Sequence, residues 1–142
     1  MAGYKSFDDV YTVFMDSTMV DDYLLPRSPE GMYGLLEFAL RSYKREFDEA
    51  KEVEFDRDTE TFSVELDDYD VELIVGYMLL KTYEKADTEF TTTYDVLIDD
   101  IGRRNFKSQS DARKALVTDQ KAKIRQMLLK VSENFDVLDE LE

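Results

Sequence analysis

The chain has 142 residues, with 18 Lys plus Arg against 33 Asp plus Glu, no His, Cys or Trp, and a formal net charge of -15. That length suits one domain, able to bury about two thirds of its unfolded surface without a disulfide or metal. Missing Cys and His exclude disulfide scaffolds, thiol chemistry, Cys- or His-ligated metals and the Ser-His triad, so composition points to assembly or binding rather than catalysis.

Ser6 precedes FDDVYTVFM, a hydroxyl cap with acids in the first turn, which predicts a short helix over residues 7 to 15 with Val10, Phe14 and Tyr11 on one face. The following stretch, DSTMVDDYLLPRSP, holds both prolines and reads as a connection. Ser28-Pro29-Glu30 then opens a helix. Met32, Leu35, Leu36, Ala39, Leu40, Tyr43 and Phe47 recur at spacings of three and four, predicting an amphipathic helix over 29 to 47. Val53 and Phe55, then Phe62, Val64 and Leu66, alternate with polar residues around Arg57-Asp58-Thr59-Glu60. That pattern predicts a small β-hairpin or an extended arm over 51 to 66.

Asp67 or Asp68 caps a third helix, 68 to 86, with Val71, Ile74, Val75, Met78 and Tyr83 as its stripe. Leu73, Tyr77, Leu79 and Leu80 make it apolar almost all round, so it should be central. Gly76 in its middle fits either a close helix crossing or simple tolerance. Thr91 to Thr93 can cap a short helix containing Val96, Leu97, Ile98 and Ile101, ended by Gly102. Ser108 or Ser110 opens a last helix, 111 to 134, with Ala112, Ala115, Leu116, Ile124, Met127, Leu128, Val131 and Phe135 as its stripe. The expected fold is mainly α: a compact bundle of four to five helices with a minor β excursion. Residues 1 to 135 form a single domain and 136 to 142 a short acidic tail. No run approaches the length of a membrane span, and MAGYKSFDDVYTV lacks the form of a secretory signal.

Charge is segregated along the chain. Residues 1 to 102 hold 9 basic and 26 acidic residues, net -17; residues 103 to 132 hold 9 basic and 2 acidic, net +7; residues 133 to 142 hold 5 acidic and none basic, net -5. One reading is a solvated face that offsets an acidic body within one subunit. Another is intermolecular: Arg113, Lys114, Lys121, Lys123 and Arg125 form a basic face that meets the acidic face of the next copy head to tail, a contact that closes into a ring. Nucleic acid binding is a third reading, opposed by the overall charge and by the lack of interleaved aromatics.

Asp56, Asp58 and Glu60 resemble the start of a calcium-binding loop. However, Thr61 stands where the loop needs Gly, and Asp67 where it needs Glu. The acidic pairs Asp8-Asp9, Asp21-Asp22, Asp67-Asp68 and Asp99-Asp100 fall at helix ends or loops, where capping explains them. No phosphate loop, dinucleotide fingerprint or nucleophile elbow is present. The expectation is a protein without enzyme activity, metal or cofactor.

The run Asp67 to Met78, Thr91-Thr92-Thr93, and Asn105-Phe106-Lys107-Ser108-Gln109-Ser110 leading into a long charged helix form a distinctive layout. Val13-Phe14-Met15, Asp21-Asp22-Tyr23-Leu24 and the helix from Phe38 to Phe47 precede it. It resembles the head-tail connector, or neck adaptor, proteins of tailed bacteriophages. The resemblance implies a small helical virion protein, assembled in the host cytoplasm, that forms a ring of twelve on the portal at the capsid vertex. Its further partners are a tail or second neck protein and genome DNA passing through the lumen without specific binding; no membrane is involved. It also implies a terminal segment that reaches the portal, here Phe135, Val137, Leu138 and Leu141. The alternating arm, with Val53, Phe55, Phe62 and Val64, and the two termini are expected to grip neighbouring copies. The alternatives are an acidic DNA mimic that inhibits a host protein and another neck or tail completion ring.

Overall fold

A computed structural model describes the backbone of residues 3–18, 25–95 and 103–141, and the side chains of residues 3–18, 25–91 and 107–129. The elements are β1 (Tyr4–Ser6), α1 (Phe7–Ser17), α2 (Pro29–Glu46), β2 (Phe55–Asp56), β3 (Thr61–Leu66), α3 (Asp68–Asp95) and α4 (Arg103–Leu141). The class is mainly α, with one small antiparallel sheet of order β1-β3-β2, as the periodicities predict.

The helix starts follow from capping chemistry. Ser6 Oγ accepts the Asp9 amide at 3.3 Å, and Ser28 Oγ accepts the Gly31 amide at 3.1 Å, with Pro29 in the first turn of α2. At α3 the Asp70 amide donates to Asp67 Oδ1 (2.8 Å) and the Asp67 amide donates to Asp70 Oδ2 (3.2 Å). This reciprocal cap satisfies an amide at each end of the first turn.

The third helix is the hub: α1, α2 and α4 all pack on it. Val71, Leu73, Ile74, Val75, Tyr77, Met78, Leu79 and Tyr83 are all buried. Gly76 lies at the crossing with α4, where an added Cβ would touch Gln120 Nε2 and Ile124 Cγ1 at 3.4 Å. That is ordinary van der Waals contact, so the crossing would admit an alanine and the glycine is tolerated there rather than required. Among the described residues, no helix is long and apolar enough to cross a membrane.

Four expectations are corrected. The segment 51 to 66 is not a free arm. Its hairpin is completed by β1, which pairs Tyr4 with Leu66, and Val53 and Phe62 are 0% and 2% exposed in the subunit's own core. Phe55 sits among the rings of Phe7, Tyr33 and Phe62, at centroid distances of 6.0, 5.7 and 5.5 Å. The turn is pinned as well: the Arg57 guanidinium donates to both carboxylate oxygens of Glu37 and lies 5.6 Å over the Tyr33 ring. Only Val64, 37% exposed, faces outward among the four arm residues.

Secondly, α3 does not stop at 86. Buried Ala86 and Phe90 extend its apolar stripe, so Thr91 to Thr93 lie inside the helix rather than capping a new one. Residues 96 to 102, where the short helix was expected, lie outside the described residues. Thirdly, α4 begins at Arg103, and Ser110 is a buried helical residue rather than a cap. Finally, α4 continues to Leu141, so residues 136–141 prolong the helix in place of a separate tail.

Candidate functional site

The face that α4 turns to α3 is set by a heptad rhythm. Ser110, Gln120 and Ile124 are buried, and Val117, Met127 and Leu128 pack against the core. The expected stripe shifts slightly: Leu116 is half-buried, Ala112 and Ala115 are exposed, and the side chains of Val131 and Phe135 lie outside the described ones. Gln120 was not anticipated. Its amide donates to the Gly76 carbonyl at 3.1 Å, across the contact between α3 and α4. Its place between Val117 and Ile124 in the heptad was the available signal.

That register fixes where the cations go. Lys107, Lys114 and Lys121, seven residues apart, and Arg125, four further on, fall on one flank of α4, because seven residues make nearly two turns. All four are exposed. Lys123 is exposed on the opposite flank. Arg113 is used internally: its guanidinium lies 4.0 Å over the Phe90 ring and donates to the Gln109 carbonyl at 3.2 Å. The five basic residues singled out from the sequence are thus split three ways.

The body treats its own few cations differently. Lys44 pairs with Glu54, Lys51 with Asp70 at 2.6 Å, Arg57 with Glu37 and Lys85 with Glu89. Among the described residues, no ion pair includes a cation of α4. Among the described residues the row from Lys107 to Arg125 therefore has no ion-pair partner, on a molecule of net charge -15.

Beside this row, α2 and α4 leave a groove of about 410 Å³ above α3. Phe38, Tyr77, Leu80, Ile124 and Leu128 line it, with Arg45, Glu46, Glu84, Lys121 and Arg125 at its rim. Glu46 is engaged: the Tyr77 hydroxyl donates to it at 2.5 Å and Arg45 lies 3.6 Å away. Burial, then this bond, pushes the Tyr77 hydroxyl well above its ordinary range, so it remains a donor. Sequence periodicity gives no sign of this groove, because its walls come from three helices.

The remaining residues of interest are placed as follows. Val53, Phe55 and Phe62 belong to the core region and Val64 to the surface. The side chains of Phe135, Val137, Leu138 and Leu141 lie outside the described ones. The Asp56 carboxylate accepts the amides of Asp58 (2.8 Å) and Thr59 (3.4 Å), which closes the hairpin turn. Among the described residues, no three acidic side chains are grouped to hold a metal ion.

No solved structure matches the chain. A similar protein is the SPbeta prophage-derived protein YomZ of Bacillus subtilis (strain 168), 23% identical over 130 residues that cover 92% of this chain and 98% of that protein. The model of YomZ prophage proteins matches residues 4–133, from β1 through most of α4. With the match running through every element of the fold, the chain belongs to the YomZ prophage protein family.

Proposed function

We propose that this prophage-family protein is a structural virion component of the phage neck, forming a ring that docks on the portal and links the head to the tail while continuing the DNA channel. One observation carries the reading: the exposed cationic row of α4 on a strongly acidic body. A charged row with no ion-pair partner among the described residues of its own subunit is available to an acidic surface on another. Identical copies that meet through two different surfaces associate head to tail, and such contacts close into rings when the rotation divides the circle. Charge sets the register and orientation of that contact, while apolar burial supplies most of its affinity. The acidic remainder of the surface suits a channel wall that DNA passes without sticking. A DNA mimic would share the net charge but not the gathered cations.

Immunogold labelling of purified, induced phage particles tests the proposal. Label is expected at the portal vertex, and co-purification should recover portal protein. Particles that carry no label at that vertex, or recovery of a host nuclease or polymerase instead of portal, would refute it.

A further inference from the structure

The groove between α2 and α4 has an apolar floor, including Phe38, Leu80 and Leu128, and an α4 rim that carries Lys121 and Arg125. Neither cation has an ion-pair partner among the described residues. An occupant should therefore be apolar on one side and acidic beside it. One such segment lies at the end of the given sequence. Residues 133–142 carry five acids and no base, and Phe135, Leu138 and Leu141 recur at steps of three. At about 100° per residue these three positions span an arc of about 120°, bordered by Asp136 and Asp139.

Geometry excludes the groove of the same copy. Helix α4 runs unbroken to Leu141, thirteen residues past Leu128, which places its end about 20 Å beyond the groove at about 1.5 Å per residue. A continuous helix cannot double back, so its last turns can reach only another molecule. The lengths agree: the rim from Lys121 to Leu128 runs about 10 Å, and Phe135 to Leu141 about 9 Å.

We propose that residues 133–142 of one copy dock as a helix in the α2–α3–α4 groove of the next, with apolar residues on the floor and acids against Lys121 and Arg125. The contact is heterologous, and its closure into a ring rests on the function proposed above. Residues 134–142 lie beyond those that match the family model.

Sedimentation velocity of the full-length protein tests it. Lys121→Glu with Arg125→Glu, and separately Asp136→Lys with Asp139→Lys, should each weaken self-association about tenfold or more while far-ultraviolet circular dichroism stays unchanged. The four substitutions together should restore it, an effect that loss of folding does not produce. If the rim pair dissociates the assembly and the tail pair does not, the groove holds some other acidic surface; the docking is then wrong while the ring survives. A restored assembly that is a closed two-fold dimer supports the docking and refutes the ring. A wild-type chain that is monomeric throughout overturns both.

Discussion

Tyr43 offers the sharpest test of how the core is held together. Its ring is fully buried, and its hydroxyl donates to Asp70 Oδ1 at 2.8 Å while accepting the Lys51 amide at 3.0 Å. Asp70 is 3% exposed, and its other oxygen meets the Lys51 ammonium at 2.6 Å. Burial raises the Tyr43 hydroxyl above its ordinary range and keeps it protonated, so it remains a donor. Tyr43→Phe preserves the ring and leaves a buried carboxylate oxygen without its donor. A hydrogen bond to a charged group contributes about 1.5–3 kcal/mol, and water can replace the hydroxyl at the half-buried Lys51 amide at little cost. We therefore expect a loss of about 2–3 kcal/mol in urea denaturation at neutral pH, with an unchanged slope, and a fall in Tm of about 4–12 °C. Tyr11→Phe, which removes no hydrogen bond shown in the structure, should change stability by less than about 0.5 kcal/mol. In an Asp70→Asn background the cost of Tyr43→Phe should shrink by about 1 kcal/mol or more, because the two share one interaction. A loss below about 0.5 kcal/mol for Tyr43→Phe would refute the idea that this hydroxyl sustains the buried carboxylate.

The hairpin makes a paired prediction: Phe62→Ala should cost about 3–5 kcal/mol in chemical denaturation and Val64→Ala less than about 0.5 kcal/mol, and equal effects would contradict the placement of the hairpin in the core. At the α3–α4 crossing, Gly76→Ala adds a Cβ at ordinary contact distance and should leave Tm unchanged or slightly raised, whereas Gly76→Leu should destabilise by about 1–3 kcal/mol; a harmless leucine would show that the helices do not cross closely there. Glu37 is held below its ordinary 4.5, chiefly by its hydrogen bond to Arg57, so this stabilisation is present above 4.5 and disappears as pH falls through the lowered value. The Tm gap between wild type and Glu37→Gln should therefore narrow on acidification, and a widening gap would reverse the assignment. Lys51 is held above its ordinary 10.5, chiefly by its hydrogen bond to Asp70. Its contribution is present below 10.5 and fades as pH rises through the raised value, which a comparison of Lys51→Met with wild type in alkaline buffer would show.

The features legible from residue order alone are local or periodic. Ser6, Ser28 with Pro29, and Asp67 announce helix starts because a cap acts within three residues of itself. The apolar surround of α3 announced its central place, since a helix with no polar face must be covered on every side. The cations of α4 were countable, but their sorting was not. Arg113 turned inward to Phe90, Lys123 outward on the far flank, and Lys107, Lys114, Lys121 and Arg125 into one row only once the register of α4 on α3 was set. That register depends on Gly76 and Gln120, residues 44 positions apart in the chain. The hairpin followed the same rule: alternation suggested two strands, but three residues of β1 and the reach of Arg57 to Glu37 decided that they belong to the core. Contacts between distant residues leave no periodic trace, so only the tertiary structure could assign them.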